Sequence, residues 1–131
     1  MPQISALYIG ISALLLMGLS LRVSLMRLRS NVSIGDGGDP RLANAIRLQG
    51  NFTEYAPMVL LLILALELQG APGWMLHGFG AAFLIGRGMH AVGYTRRPPQ
   101  MFLRKWGMVV TYCLLLGAGT ANIAYAFGWH G

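Results

Sequence analysis

Polar residues stand at helical spacing inside two otherwise apolar stretches of the chain. Arg47, Asn51 and Glu54 occupy positions i, i+4 and i+7, so they share one face of a helix. A second group repeats the pattern at i, i+3 and i+7: Arg87, His90 and Tyr94. Guanidinium groups hold carboxylates through paired hydrogen bonds, and a carboxylate such as Glu54 can balance an arginine or bind an ammonium group. These residue types therefore suit the binding of a small charged molecule.

The overall composition places these polar groups in a membrane protein. The chain has 131 residues, of which 55% are apolar and 11% charged, and its mean hydropathy is +0.55. A soluble domain this small has a large surface and usually charges about a quarter of its residues. The apolar content is also too high for a disordered chain. Because charged side chains inside membrane helices are costly, the two groups of polar residues, called here the two stripes, predict one polar pocket within a helical bundle.

A purely structural explanation of the two stripes is the alternative. Arg47 and Glu54 could belong to an ion pair between helices that has no ligand. His90 and Tyr94 could extend along the helix surface toward the membrane interface.

Long and continuous apolar runs predict membrane-spanning helices, whereas a β-barrel would show alternation. The expected helices cover approximately residues 4–28, 41–69, 72–95 and 103–128, so residues 1–131 form one all-α domain of four transmembrane helices. Asp39 is expected to cap the second helix, with Pro40 at its first position. Glu67 is expected near the outer end of that helix, with its side chain extended toward the interface.

The basic residues are confined to two parts of the chain. All ten lie between Arg22 and Arg47 or between Arg87 and Lys105, against four acidic residues, which gives a net charge of +6. Under the positive-inside rule, loops 29–40 and 95–104 are cytoplasmic and both termini are outside. The basic loops are expected to meet the headgroups of the lipid bilayer. No nucleic acid is expected, because no binding motif accompanies the charge, and no metal is expected, because His and Cys lack ligand spacing.

Small residues recur at intervals that favour close packing of membrane helices. Gly78, Ala82 and Gly86 fall every four residues on the third helix, and Gly117 and Ala121 do so on the fourth. Such rows allow two helix backbones to approach each other.

Two segments carry a resemblance to a known family. The segment Arg47–Pro57, RLQGNFTEYAP, resembles the signature R-x-Q-x-N-x-x-E-Y-x-P of the MAPEG superfamily, the membrane-associated proteins in eicosanoid and glutathione metabolism. The segment Arg87–Tyr94, RGMHAVGY, is similar to the third-helix motif of that superfamily. Chain length, the four expected spans and their orientation agree with the short bacterial members.

The resemblance implies a homotrimer that binds glutathione between neighbouring subunits near the cytoplasmic face. Arg27 would reach the site from the next subunit, and Arg104 is similar to the arginine that activates the glutathione thiol. The resemblance also implies the bacterial inner membrane, with both termini periplasmic. The residues that it assigns to glutathione binding are Arg27, Arg47, Gln49, Asn51, Glu54, Tyr55, Arg87, His90 and Tyr94.

The function implied is that of a glutathione-dependent transferase or peroxidase. Glutathione would be the co-substrate, and its thiolate would attack a lipophilic electrophile or hydroperoxide that arrives from the bilayer. The alternative is a non-catalytic MAPEG homologue that binds glutathione or another small anion, or a membrane scaffold. Gly50 favours this alternative, because some relatives carry a second arginine there. A transporter is disfavoured, since the polar residues stop about halfway along the helices.

Overall fold

Four long helices make up most of the chain in a computed structural model that describes residues 1–96 and 98–128. The helices are α1 (Gln3–Ser30), α2 (Pro40–Leu68), α3 (Gly73–Thr95) and α4 (Met101–Ala126). Each end lies within two residues of the expected position. Asp39 caps α2 as predicted, because its Oδ1 accepts a hydrogen bond of 2.8 Å from the Arg41 backbone N–H. The all-α, four-helix fold is confirmed.

The helices alternate in direction and pack into a bundle. The connections after Ser30 and Thr95 lie at one end, called here the basic end, and the turn at residues 69–72 lies at the other. α3 packs most extensively against α4, and α1 against α2. α2 contacts all three other helices, whereas α1 and α4 lie on opposite sides of the bundle. The bundle therefore has an α1/α3 face and an opposite α2/α4 face.

The apolar side chains lie both inside the bundle and on its surface. The core includes Phe52, Ile63, Phe83 and Leu114, all of which are buried. Many large apolar side chains are exposed along the helices, among them Leu14, Met17, Leu61 and Leu116. An apolar exterior of this extent suits contact with lipid, because a soluble protein rarely exposes large continuous apolar patches.

Three of the described helices, α1, α2 and α4, are long and apolar enough to cross a membrane. α3 has 23 residues, which corresponds to about 35 Å of helix. It is not among these three helices, and it carries His77, Arg87 and His90, of which the last two are buried in the bundle. The chain is thus a membrane protein, and the crossing by α3 stays a prediction.

Glycines bring α3 and α4 into close contact near the basic end. A Cβ added to Gly107 would lie 2.6 Å from the Gly86 carbonyl oxygen and 2.8 Å from the His90 backbone nitrogen. A Cβ on Gly93 would lie 2.7 Å from the Arg104 backbone nitrogen. The predicted role of Gly86 in close packing is confirmed. A Cβ on Gly78 would meet no atom within 4 Å, so this glycine does not bring α3 close to another helix of the same subunit, and its role in packing stays a prediction.

Glu67 caps another helix, so the expectation that it extends toward the interface is wrong. Its Oε1 accepts a hydrogen bond of 2.8 Å from the Ile4 N–H, and its Oε2 accepts one of 2.7 Å from the Ser5 N–H. The first N–H groups of a helix have no partner within the helix, so this carboxylate satisfies two of those in α1. The contact ties the start of α1 to the end of α2.

We expect Glu67→Ala to lower the free energy of unfolding by about 1 kcal/mol, the usual cost of losing a helix cap. Thermal unfolding of the protein in detergent, followed by circular dichroism, measures the change. Glu67→Gln is the matched control, because it keeps one acceptor oxygen and should retain part of the stability. An alanine variant as stable as the wild type would contradict the capping role.

Candidate functional site

A cavity of about 290 Å³ opens on the α2/α4 face near the basic end. α2 and α4 form its sides, and α3 contributes from behind. Its lining residues are Arg47, Asn51, Glu54, Tyr55, His90, Tyr94, Met101, Arg104, Lys105, Met108 and Tyr112. The structure thus brings together seven of the ten residues expected at the site, drawn from three helices.

The stripe on α2 lines the cavity as its helical spacing predicts. Arg47 and Glu54 are exposed, whereas Asn51 is buried between them. Tyr55 extends to α4, where its Oη lies 3.4 Å from the Tyr112 Oη and the two rings meet edge to face. A positive and a negative side chain therefore face the cavity from one helix.

Arg87 lies beneath the cavity and does not line it. Its side chain is buried, and Nη2 donates a hydrogen bond of 2.5 Å to the Asn51 Oδ1. Nη1 donates to the Thr111 Oγ1 at 3.4 Å, and the guanidinium group lies over the Phe52 ring. Arg87 therefore joins α2, α3 and α4 and orients Asn51.

Arg104 is held against Tyr94 where α3 and α4 come closest. Its Nη2 donates a hydrogen bond of 2.9 Å to the Tyr94 Oη, and its guanidinium carbon lies 3.9 Å from the centre of that ring. A guanidinium group stacked on an aromatic ring and bonded at one end keeps a defined orientation. The cation is thus fixed in position at the cavity.

His90 links the same two helices. Its Nδ1 lies 3.1 Å from the Arg104 backbone oxygen, and because a carbonyl oxygen only accepts, the Nδ1 atom donates. The side chain is buried, so the alternative in which His90 extends to the membrane interface is wrong.

Besides the Nε of Arg87 beneath the cavity, two nitrogen atoms in residues that line the cavity are buried without a hydrogen-bond partner among the described residues. They are the Nε of Arg104 and the Nε2 of His90. Burial of an unpaired polar group is unfavourable, and most buried polar groups are paired. Both residues line the cavity, so a polar molecule bound there could supply the missing partners.

Two predicted site residues lie elsewhere in the subunit. The Nε2 of Gln49 donates a hydrogen bond of 2.9 Å to the Ser20 Oγ on α1. Arg27 donates from Nη1 to the Gly35 carbonyl oxygen at 2.6 Å, so it holds the loop between α1 and α2. Neither side chain lines the cavity of its own subunit.

α4 contributes residues that the sequence analysis missed. Met108 and Tyr112 follow Arg104 at i+4 and i+8 and line the cavity with it, and Lys105 stands beside them. The helical repeat from Arg104 was the available signal. It was overlooked because these residues lie in a long apolar run that predicts only a membrane span.

We expect Asn51→Ala to lower the free energy of unfolding by about 2 kcal/mol, because the buried Arg87 guanidinium loses its shortest hydrogen bond. Asn51→Asp keeps an acceptor oxygen at the same place and is the control for side-chain size. Thermal unfolding in detergent distinguishes the variants. Equal stability of the alanine variant and the wild type would show that Arg87 does not depend on Asn51.

The fold and the cavity together define an integral membrane protein of four helices with a cationic pocket that opens on one face near the basic end. The sequence profile described as the MAPEG family matches residues 5–124, which is nearly the whole chain. The chain belongs to the MAPEG family, as its two motifs predict.

Two proteins of Escherichia coli are similar to the chain over nearly its whole length. The chain is 43% identical over 123 residues to the inner membrane protein YecN of Escherichia coli strain K12, a match that covers 94% of this chain and 92% of the relative. The protein of that name from an O6:H1 strain of Escherichia coli matches equally well.

Proposed function

We propose that this protein is a glutathione-dependent transferase or peroxidase of the inner membrane, and that glutathione binds in the cavity on the α2/α4 face. One observation carries the proposal: a single cavity collects the cationic residues Arg47, Arg104 and Lys105, the carboxylate of Glu54, and two unpartnered nitrogens. The proposed orientation places the basic end in the cytoplasm and both termini in the periplasm, following the positive-inside rule.

The charges of the cavity complement those of glutathione. The tripeptide has two carboxylates, one ammonium group and a thiol. Arg47 and Lys105 are placed to bind carboxylates, and Glu54 is placed to bind the ammonium group. Asn51 and Tyr55 add polar contacts from the same helix. The residues present therefore fit the proposed co-substrate.

Arg104 is the residue that we assign to thiol activation. A fixed guanidinium group stabilises the thiolate and lowers the pKa of the thiol, which raises the nucleophile concentration at neutral pH. The thiolate sulfur then forms a bond to an electrophilic carbon while the leaving group departs with its electron pair. In the peroxidase reaction, a lipid hydroperoxide is reduced to an alcohol and water while two glutathione molecules are oxidised to the disulfide.

A trimer would complete the proposed site. The cavity opens on the surface of the subunit, and the side chains of Arg27 and Gln49 lie away from it. In this proposal, the two residues contact glutathione that is bound by a neighbouring subunit. We therefore propose a homotrimer in which a neighbouring subunit covers the α2/α4 face, while a lipophilic electrophile enters from the bilayer.

A glutathione titration of the detergent-solubilised protein tests this function. We expect saturable binding by calorimetry together with the ultraviolet absorbance band of a thiolate. S-Methylglutathione, which has no ionisable thiol, should bind without producing the band. Conjugation rates with several unrelated electrophiles and hydroperoxides should exceed the uncatalysed rates. A protein that does not bind glutathione would contradict the proposal.

The same titration tests the alternative of a non-catalytic homologue. Gly50 favours this alternative, because an arginine at that position would add an anion contact that glycine lacks. Binding of glutathione without a thiolate band, and without any rate above background, would support a binding protein or scaffold in place of an enzyme.

A further inference from the structure

An apolar cleft runs along the α1/α3 face, on the side of the bundle opposite the proposed glutathione cavity. It has a volume of about 360 Å³ and is lined mainly by apolar side chains of α1, α2 and α3, including those of Leu14, Phe52 and Leu84, and Arg87 also lines it. Gly18 and Gly88 also line the cleft, and a Cβ on either would meet no atom within 4 Å. The cleft is therefore wide enough along both helices to receive a chain of methylene groups.

A cationic cavity continues the cleft toward the basic end. It has a volume of about 310 Å³ and is lined by Arg22, Arg41 and Arg96. Arg22 follows Gly18 of the apolar cleft by four residues on α1, which is about one helical turn. On α3, Thr95 of the cationic cavity follows Ala91 of the apolar cleft by the same interval. The lining residues of the two cavities thus follow each other at one-turn spacing on both helices, and together the cavities make one amphipathic groove.

The three arginines at the end of this groove are available to bind an anion. Within the described part of the chain, no other residue forms a hydrogen bond or an ion pair with the guanidinium groups of Arg22, Arg41 and Arg96. The cavity also contains Asp39, whose Oδ1 accepts the hydrogen bond from the Arg41 backbone N–H. Positive charge exceeds negative charge at the mouth of an apolar groove.

We propose that this groove binds one anionic phospholipid of the bilayer. One acyl chain lies in the apolar cleft between α1 and α3, and the phosphate group lies among Arg22, Arg41 and Arg96. Arginine suits this role because its planar donors bind two phosphate oxygens at once. A free small anion would use only the cationic end, and an uncharged lipid only the apolar part. The groove contains both parts in the order that an anionic lipid requires.

Lipid binding to the purified full-length protein, measured by native mass spectrometry in detergent, tests this assignment. We expect one phosphatidylglycerol molecule to bind each subunit at least about tenfold more tightly than phosphatidylcholine of the same chain length. Soluble glycerol phosphate should bind much more weakly than the lipid. The combined variant Arg22→Gln and Arg96→Gln should weaken phosphatidylglycerol binding by about tenfold or more.

Two variants test the apolar half separately. Gly18→Leu fills the cleft and should also weaken phosphatidylglycerol binding. Gly10→Leu is its matched control on the same helix, because Gly10 is outside the groove and an added Cβ there meets no atom within 4 Å.

Arg29→Gln removes one exposed positive charge outside the groove and controls for net charge. Tyr94 is left unchanged, since it lines both this groove and the proposed glutathione cavity.

Each contrary outcome rejects the proposal. Equal binding of phosphatidylcholine would show that the arginines do not select an anionic headgroup. Equal binding of glycerol phosphate would identify a free-anion site without a role for the cleft. Unchanged phosphatidylglycerol binding by Gly18→Leu, with a thermal unfolding curve like that of the wild type, would exclude the acyl chain from the cleft. None of these results depends on glutathione binding.

Discussion

Replacing Arg104 with alanine is expected to lower kcat for glutathione conjugation by about 10²- to 10³-fold, the usual loss when one fixed group that stabilises developing charge is removed. The Arg104 guanidinium group is oriented by the Tyr94 hydroxyl and ring, and its Nε has no partner among the described residues. Glutathione affinity should change less than kcat, because Arg47 and Lys105 remain to bind the carboxylates. Steady-state kinetics and the thiolate absorbance band measure the two effects separately.

Two further variants establish the origin of the Arg104 effect. Arg104→Lys keeps the charge but loses the stacking on Tyr94, so we expect an intermediate kcat and a weaker thiolate band. Arg29→Ala removes an exposed arginine at the end of α1 and should leave kcat unchanged. The hydrogen bond from His90 survives in Arg104→Ala, because its acceptor is the backbone oxygen at that position. Full activity of Arg104→Ala would exclude the assigned role in thiol activation.

Gly107→Ala should be the most destabilising of the single substitutions considered, with a loss of about 3 kcal/mol in the free energy of unfolding. The added methyl group would lie 2.6 Å from the Gly86 carbonyl oxygen, 2.8 Å from the His90 nitrogen and 2.9 Å from the His90 Cβ. No flexible side chain can move to relieve these contacts, so the α3 and α4 backbones must separate. Thermal or denaturant unfolding in detergent measures the loss.

The same separation should weaken glutathione binding, because His90 and Arg104 lie at this helix contact. Gly117→Ala is the control on α4, since its Cβ would lie 3.7 Å from a Phe79 ring carbon, an ordinary contact distance. Gly119→Ala is a second control, because its Cβ would meet no atom within 4 Å. Alanine favours a helix over glycine, so both controls should be as stable as the wild type or slightly more stable. A Gly107→Ala variant as stable as these controls would show that the helices separate at little cost.

Much of the candidate site was predictable because its residues repeat along single helices. Arg47, Asn51 and Glu54 share a face by helical geometry alone, and the structure places all three on the cavity. His90 and Tyr94 also line the cavity, because their spacing places them on one face of α3. Arg87 has the same spacing but lies beneath the cavity, where it bonds to Asn51 and Thr111. The depth of a side chain in the bundle depends on how the neighbouring helices pack, and the spacing along one helix does not show this.

The sequence alone determined the membrane class, the four helices and their approximate ends, since these follow from local apolar content and helix caps. It also determined membership of the MAPEG family through the spacing in two motifs. Only the tertiary structure decided that Glu67 caps α1, that Gly107 sets the distance between α3 and α4, and that Met108 and Tyr112 complete the cavity. Each of these contacts joins residues far apart in the chain, and their distance depends on how the helices pack, which local periodicity does not encode.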